Sequence, residues 1–263
     1  MQTMGVRLVA ALAAFIFAGV LLAPSPTPAA VVWRDGFSSQ GLEASKWYAR
    51  GGCPSERSAE GWLCYSPDNA YVEGGFLHMR QTPNDGRFCC SFDRPYLGSM
   101  VSTYKHGSGW PSKSVLASWT PPVLIEARIR YSGADGLWQN FETFSVDLDQ
   151  PTEFDAAEMR GAKEHYQFCA VHRRPEHIHL GTQLPYNYTA RFRRYWIYYE
   201  PARVTFGVGD TVCGSTMLAE PAGNIGIDFV AKSADPDLFP WPGLGGPVVG
   251  SPEYLVDWVR VSQ

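Results

Sequence analysis

An all-β chain, folded as a two-sheet antiparallel sandwich of the jelly-roll kind, is what this sequence predicts. Short segments alternating between apolar and polar residues recur along most of its 263 residues. Glycine and proline, 26 and 20 residues, punctuate those segments as turns. Long tracts of Ala, Leu, Glu and Lys that would mark helices are missing. With 45% hydrophobic and 14% aromatic residues the chain fills one sizeable core. No internal repeat, low-complexity tract or linker interrupts Val31 to Gln263, so residues 31–263 are expected to form a single domain.

Residues 1–30 stand apart as a signal peptide. Arg7 supplies a positive start, Leu8 to Leu22 is an apolar run, and Pro24 to Ala30 offers small residues for cleavage. The run is short for a membrane span, so a secreted protein without stable membrane insertion is expected; left uncleaved, the segment would act as an anchor. Export gives meaning to the six cysteines, Cys53, Cys64, Cys89, Cys90, Cys169 and Cys213, an even number suited to disulfides. Adjacent Cys89 and Cys90 face opposite ways in extended chain and take different partners; the pairing itself stays open. No Cys-x-x-Cys spacing marks a zinc site.

The mature chain opens with Val31-Val32-Trp33-Arg34-Asp35-Gly36-Phe37. Arg50 to Pro67, rich in Gly, Ser and Pro, reads as loop. Asn69 to Arg80 reads as two strands about the Gly74-Gly75 turn. Gly98 to Tyr104 is another strand, followed by a loop holding Trp110. Val123 to Tyr131 alternates clearly, and Gly133 to Gly136 turn the chain into Leu137 to Phe141. Past the acidic strand described next, Tyr166 to His172 and Ile178 to Leu180 are extended. Tyr195 to Tyr199 and Arg203 to Asp210 form a hairpin about Glu200-Pro201-Ala202. Ile225 to Val230 is a strand, Asp235 to Pro247 a long loop, and Tyr254 to Val261 the closing strand.

The chemistry lies in Glu153-Phe154-Asp155-Ala156-Ala157-Glu158. Side chains alternate along a strand, so Glu153 and Asp155 share a face, and one extra residue in a β-bulge returns Glu158 to it. Three anions against a core would cost several kcal/mol each (roughly), so this face should open on a wet cleft. Two carboxylates with a third to tune them are the equipment for cleaving a glycosidic bond. The same spacing also suits the solvent side of an amphipathic strand, or a calcium or manganese site; a helix fits less well after Pro151. A net charge of −4 gives no electrostatic case for nucleic acid. The basic groups at Arg173-Arg174 and Arg191 to Arg194 read as solvated strand edges.

These residues resemble glycoside hydrolase family 16, the laminarinase-like β-glucanases of the concanavalin A-like fold. Glu153-x-Asp155-x-x-Glu158 is similar to the family's catalytic signature in its bulged form. Gly136-Leu137-Trp138 with Phe141 resembles its Gly-Leu-Trp block, and Glu126-Ala127-Arg128-Ile129 its Glu-Ala-Arg strand. Glu200-Pro201-Ala202-Arg203-Val204 resembles a family turn, and Val256 to Val261 its closing strand. The matches run in the family's order over nearly the whole mature chain.

The resemblance implies that Glu153 is the nucleophile, Glu158 the acid/base and Asp155 the support of Glu153. Retention needs the two carboxyl groups about 5–5.5 Å apart. Three neighbouring acids raise one another's pKa, and Glu158, charged last, is expected to hold the proton. Trp138 is expected to stack on a sugar ring and His172 to lie near the cleavage point, with Trp119, Trp241 and Asn69 also in the cleft. A core Trp138, a structural His172 and an Asx-turn Asn69 are the competing readings. The expected activity is a secreted, retaining endo-glycosidase on β-1,3- or mixed-linked glucan, or on a galactan or envelope glycan. No cofactor or catalytic metal is expected, although a structural calcium is compatible; the partner is polysaccharide and the protein a monomer.

The chain departs from the family pattern at Glu142, where a second Trp is common, at Met100, where an Arg is common, and at Ile227 to Lys232. The rival functions are a lectin-like sugar-binding module, since Glu-Phe-Asp also occurs in legume-type lectins, a dead hydrolase serving as scaffold, and a transglycosylase using the same residues.

Overall fold

Two antiparallel sheets face each other across one apolar core. The computed structural model describes residues 30–52, 64–84, 96–106, 111–112, 114–161, 163–173, 175–233 and 248–263. The expected signal peptide, Cys53, Cys89, Cys90, Trp110, Trp241 and the 235–247 loop lie outside the described residues.

The early strands are β1 (Val31–Asp35), β2 (Tyr48–Ala49), β3 (Cys64–Tyr65), β4 (Ala70–Glu73), β5 (Phe76–Arg80), β6 (Thr82–Pro83) and β7 (Tyr96–Ser102). The middle of the chain supplies β8 (Val123–Arg130), β9 (Leu137–Ser145), β10 (Glu153–Arg160), β11 (Tyr166–Arg173) and β12 (Glu176–Gln183). The remainder are β13 (Arg193–Glu200), β14 (Arg203–Val208), β15 (Thr211–Met217), β16 (Ile225–Ser233) and β17 (Glu253–Ser262). The first sheet runs β15-β14-β13-β8-β17-β5-β4 with β1 alongside β17; the second runs β12-β11-β10-β9-β16-β7-β2, with β3 and β6 also on β7.

The expected all-β sandwich is therefore the observed one. The Gly74-Gly75 turn carries φ values of 59° and 83° between paired Glu73 and Phe76, the left-handed pair that a two-residue hairpin needs. Strand β15, absent from the sequence reading, leaves its alternate residues exposed, and its Thr, Gly and Ser content gives no apolar stripe. Strand β12 runs well beyond Ile178 to Leu180 for the same reason: only its middle packs on the core.

Alternation sorts each strand of the second sheet into two sets. Ile225, Ile227, Phe229 and Ala231 of β16, Leu137 and Phe141 of β9, and Phe154, Ala156, Ala157 and Met159 of β10 all enter the core. Phe141 and Phe229 stack at 5.3 Å, and burying each ring stabilises the fold by about 1.5–3 kcal/mol. Trp119 joins this core too, bridged to Ile225 and packed edge-on to Trp33 at 5.4 Å. Toward one end Tyr131 packs against Tyr188, Tyr195 and Tyr254. The Cys169–Cys213 disulfide ties β11 of one sheet to β15 of the other, and Cys64 is disulfide-bonded as well.

Candidate active site

The residues left facing away from the core on the second sheet make the site. On β10 the ladder to β9 pairs Asp155 with Glu142 and Ala157 with Phe141, and the ladder to β11 pairs Asp155 with Ala170 and Glu158 with Phe168. Both show one extra residue on β10 between Asp155 and Glu158, the bulge that the spacing requires. Its consequence is that Glu153, Asp155 and Glu158 stand on one face while both alanines fill the core.

Cross-strand register then lays the site out in rows. One row is His172, Glu153 and Phe144. The next is His179, Ala170, Asp155, Glu142, Asp228 and Ser102, spanning six strands. The third holds Phe168, Glu158, Asn140 and Val230, and the last Arg160, Trp138 and Lys232. Asp155 is fully buried, Glu158 is 3% exposed and Glu153 is partly exposed. Glu142, Glu153 and Asp155 each bring a carboxylate oxygen within 4.8 Å of the others.

So dense a set of acids raises the proton affinity of Asp155. Burial, then the charges of Glu158 and Glu142, push Asp155 well above the usual carboxylate range; a hydrogen bond to Glu142 adds to this and Lys232 opposes it. The protonated form of Asp155 is thereby favoured. The physical reason is position: Asp155 is fully buried, with Glu142 across the ladder and Glu158 farther along its own strand. Glu142 in turn accepts a hydrogen bond from Asn140 Nδ2 at 2.6 Å. Farther along, Asp228 accepts from the Tyr104 hydroxyl at 2.5 Å, with His106 Nε2 at 3.0 Å.

His172 Nε2 lies 3.2 Å from Asp155 Oδ2, so the expected histidine does stand beside the acids. Its Nδ1 faces His177 Nδ1 at 2.8 Å and its ring meets His179 edge-on at 5.2 Å. Trp138 is on the same face, half-buried, with Lys232 Nζ 4.3 Å and Arg160 Cζ 5.9 Å from its ring. Arg160 also covers the Phe168 ring at 4.0 Å.

Two other expected cleft residues are placed elsewhere. Trp119 is in the core, on the opposite side of the second sheet from the acids. Asn69 is 3% exposed and its amide donates to Leu97 O at 2.8 Å and Thr82 Oγ1 at 3.0 Å, a role in holding β7 and β6 in place. Residues that sequence reasoning did not select, Glu142, Asp228, Tyr104, His177 and His179, join the site through cross-strand register. The alternation of Ile227-Asp228-Phe229 and the His-x-His pattern at 177–179 were their only local signals.

The sequence matches no model of a known protein family, and it matches no curated protein. Its fold matches solved structures closely. The endo-β-1,3-glucanase from Pyrococcus furiosus aligns over 88% of this chain and 93% of its own, with a TM-score of 0.71 and 19% identity. The catalytic domain of a Thermotoga petrophila laminarinase, an endo-1,3-β-glucanase, aligns over 89% and 98%, with a TM-score of 0.73 and 14% identity. A Bacteroides ovatus family 16 structure holding a mixed-linkage glucan product aligns over 88% and 100%, with a TM-score of 0.69 and 15% identity. The likeness to these glucanases is one of fold, and it spans nearly the whole sandwich.

Proposed function

We propose that the protein is a retaining endo-glycosidase of the family 16 type, acting outside the cell on β-1,3- or mixed-linked glucan. The observation that carries this reading is the bulge in β10, which gathers Glu153, Asp155 and Glu158 on one face of a sheet whose fold matches endo-β-1,3-glucanases. Glu153, the more open acid, attacks the anomeric carbon while Glu158 protonates the departing glycosidic oxygen. The C–O bond to the leaving sugar breaks as the bond to Glu153 forms. Glu158 then takes a proton from water, which displaces Glu153 and restores the original anomeric configuration. Asp155, pushed toward its protonated form by burial and by Glu158 and Glu142, spares Glu153 a further neighbouring anion. Trp138 offers a flat surface for a pyranose ring.

The reading is tested with the wild-type protein and Glu153→Ala on a panel of β-glucans and galactans. Wild type is expected to shorten a β-glucan and release the β-anomer first by proton NMR. Glu153→Ala is expected to be inactive until azide fills the vacated space and yields a glycosyl azide. Release of the inverted anomer, or an active wild type whose variant azide does not rescue, would remove these roles. Binding of glycan that chelator abolishes, without any cleavage, would leave a lectin.

A further inference from the structure

Three histidines converge beside the acids, and the proposed reaction uses at most one of them. His172 comes from β11, and His177 and His179 from β12, the outermost strand of the second sheet. They meet because the ladder pairs His172 with His177 and puts only the small Ala170 opposite His179. Glu158, His172 and His179 each offer one ligand atom within 4.8 Å of the others. The contact of His172 Nδ1 and His177 Nδ1 at 2.8 Å lets one ring donate and the other accept, and the donating ring keeps the lone pair of its Nε2 for a ligand.

We propose that Glu158, His172 and His179, with His177 at their edge, bind a divalent transition-metal ion of the zinc or copper class. Imidazole nitrogens with one carboxylate form the donor set such ions prefer over calcium or magnesium. Zinc holds its ligands at about 2.0–2.2 Å, so the donors must draw closer than they stand. The rings that would move are partly or fully exposed, and among the described residues no strand pairs with the outer side of β12, which gives the ion an entry path. The ion takes the carboxylate oxygen of Glu158 that otherwise carries the catalytic proton, so metal and glycan cleavage exclude each other. That second consequence rests on the reading of Glu158 as the general acid; the binding site itself does not.

The experiment is equilibrium dialysis of the purified protein, free of any histidine tag, against Zn²⁺, alongside His179→Ala, His172→Ala and Glu158→Gln. Wild type is expected to hold one equivalent, and each variant to bind at least about tenfold more weakly. Thermal melts of the metal-free forms show that each variant is folded; His179→Ala, exposed on an outer strand, carries the test should His172→Ala not fold. Zn²⁺ is also expected to inhibit glucan hydrolysis by wild type, reversibly with chelator, and less so in His179→Ala relative to that variant's own metal-free rate. No stoichiometric binding by wild type, or equal binding by His179→Ala and wild type, overturns the site. Hydrolysis untouched by bound Zn²⁺ overturns the competition, whereas bound Zn²⁺ without any hydrolysis of glycan supports the site and removes the enzymatic reading alone.

Discussion

Glu142 on β9 faces Asp155 on β10 directly across the ladder, and their carboxylate oxygens come within 4.8 Å of each other in the buried middle of the acidic row. Replacing Glu142 by Gln keeps the shape and the bond from Asn140 while removing one buried charge. The expected result at neutral pH is a more stable protein, by about 1 kcal/mol or more, with kcat/KM lowered roughly tenfold because Asp155 loses the partner that favours its protonated form. Urea titration and steady-state kinetics measure both. A destabilised variant with unchanged kinetics would show Glu142 to be a scaffold residue only.

The bulge makes a sharper prediction. Deleting Ala156 restores a regular ladder and leaves all three acids on one face, because Asp155 and Glu158 become next-but-one neighbours. That variant should fold and keep activity within about 100-fold of the parent, or about 2.7 kcal/mol in transition-state energy. Inserting one further alanine after Ala156 also keeps Glu158 on the acids' face, now four positions from Asp155, but carries it farther from Glu153, so that variant should fold and lose more than about 100-fold in activity. Circular dichroism and activity separate the two.

The Cys169–Cys213 bridge joins the two sheets across a sequence separation of 44 residues. Closing a loop of that length removes chain entropy worth about 4 kcal/mol from the unfolded state. The Cys169→Ala/Cys213→Ala double variant should unfold at correspondingly lower urea, with little change in m. A loss below about 1 kcal/mol would show that the packing between β11 and β15 holds the sheets together unaided.

Alkaline pH should unfold the protein through its tyrosines. Burial pushes Tyr131, Tyr195 and Tyr254 well above the ordinary phenol range, and Tyr188 upward as well. Above pH ~10 the unfolded chain loses these protons while the folded chain keeps them. Stability is therefore flat with respect to these groups below that pH and falls above it, by up to about 1.4 kcal/mol per pH unit for each group. Tyr195→Phe should make the fall shallower; an unchanged slope between pH 10 and 12 would count against the burial argument.

The acids at 153, 155 and 158 were legible because strand alternation and a one-residue bulge are local rules, readable along the chain. The strands built from clear alternation, Val123 to Tyr131 or Tyr166 to His172, were legible for the same reason. Glu142 and Asp228 entered the site through lateral register, which places Asp155, Glu142 and Asp228 side by side although 86 positions separate the last two in number (228 − 142). No local pattern encodes that. His177 and His179 meet His172 through a ladder along an outer strand whose weak apolar character hid its length. Trp119 shows the opposite failure: an aromatic near a loop looked like a cleft residue, and its strand-like bridge to Ile225 turned it inward.

The widest row of the site draws its side chains from β12, β11, β10, β9, β16 and β7, segments spread from Ser102 to Asp228. No single hairpin holds enough of it to work as a fragment. Competence for chemistry must then arrive late and all at once, as the last distant strand docks, and a half-made chain presents its acids with nothing to aim them.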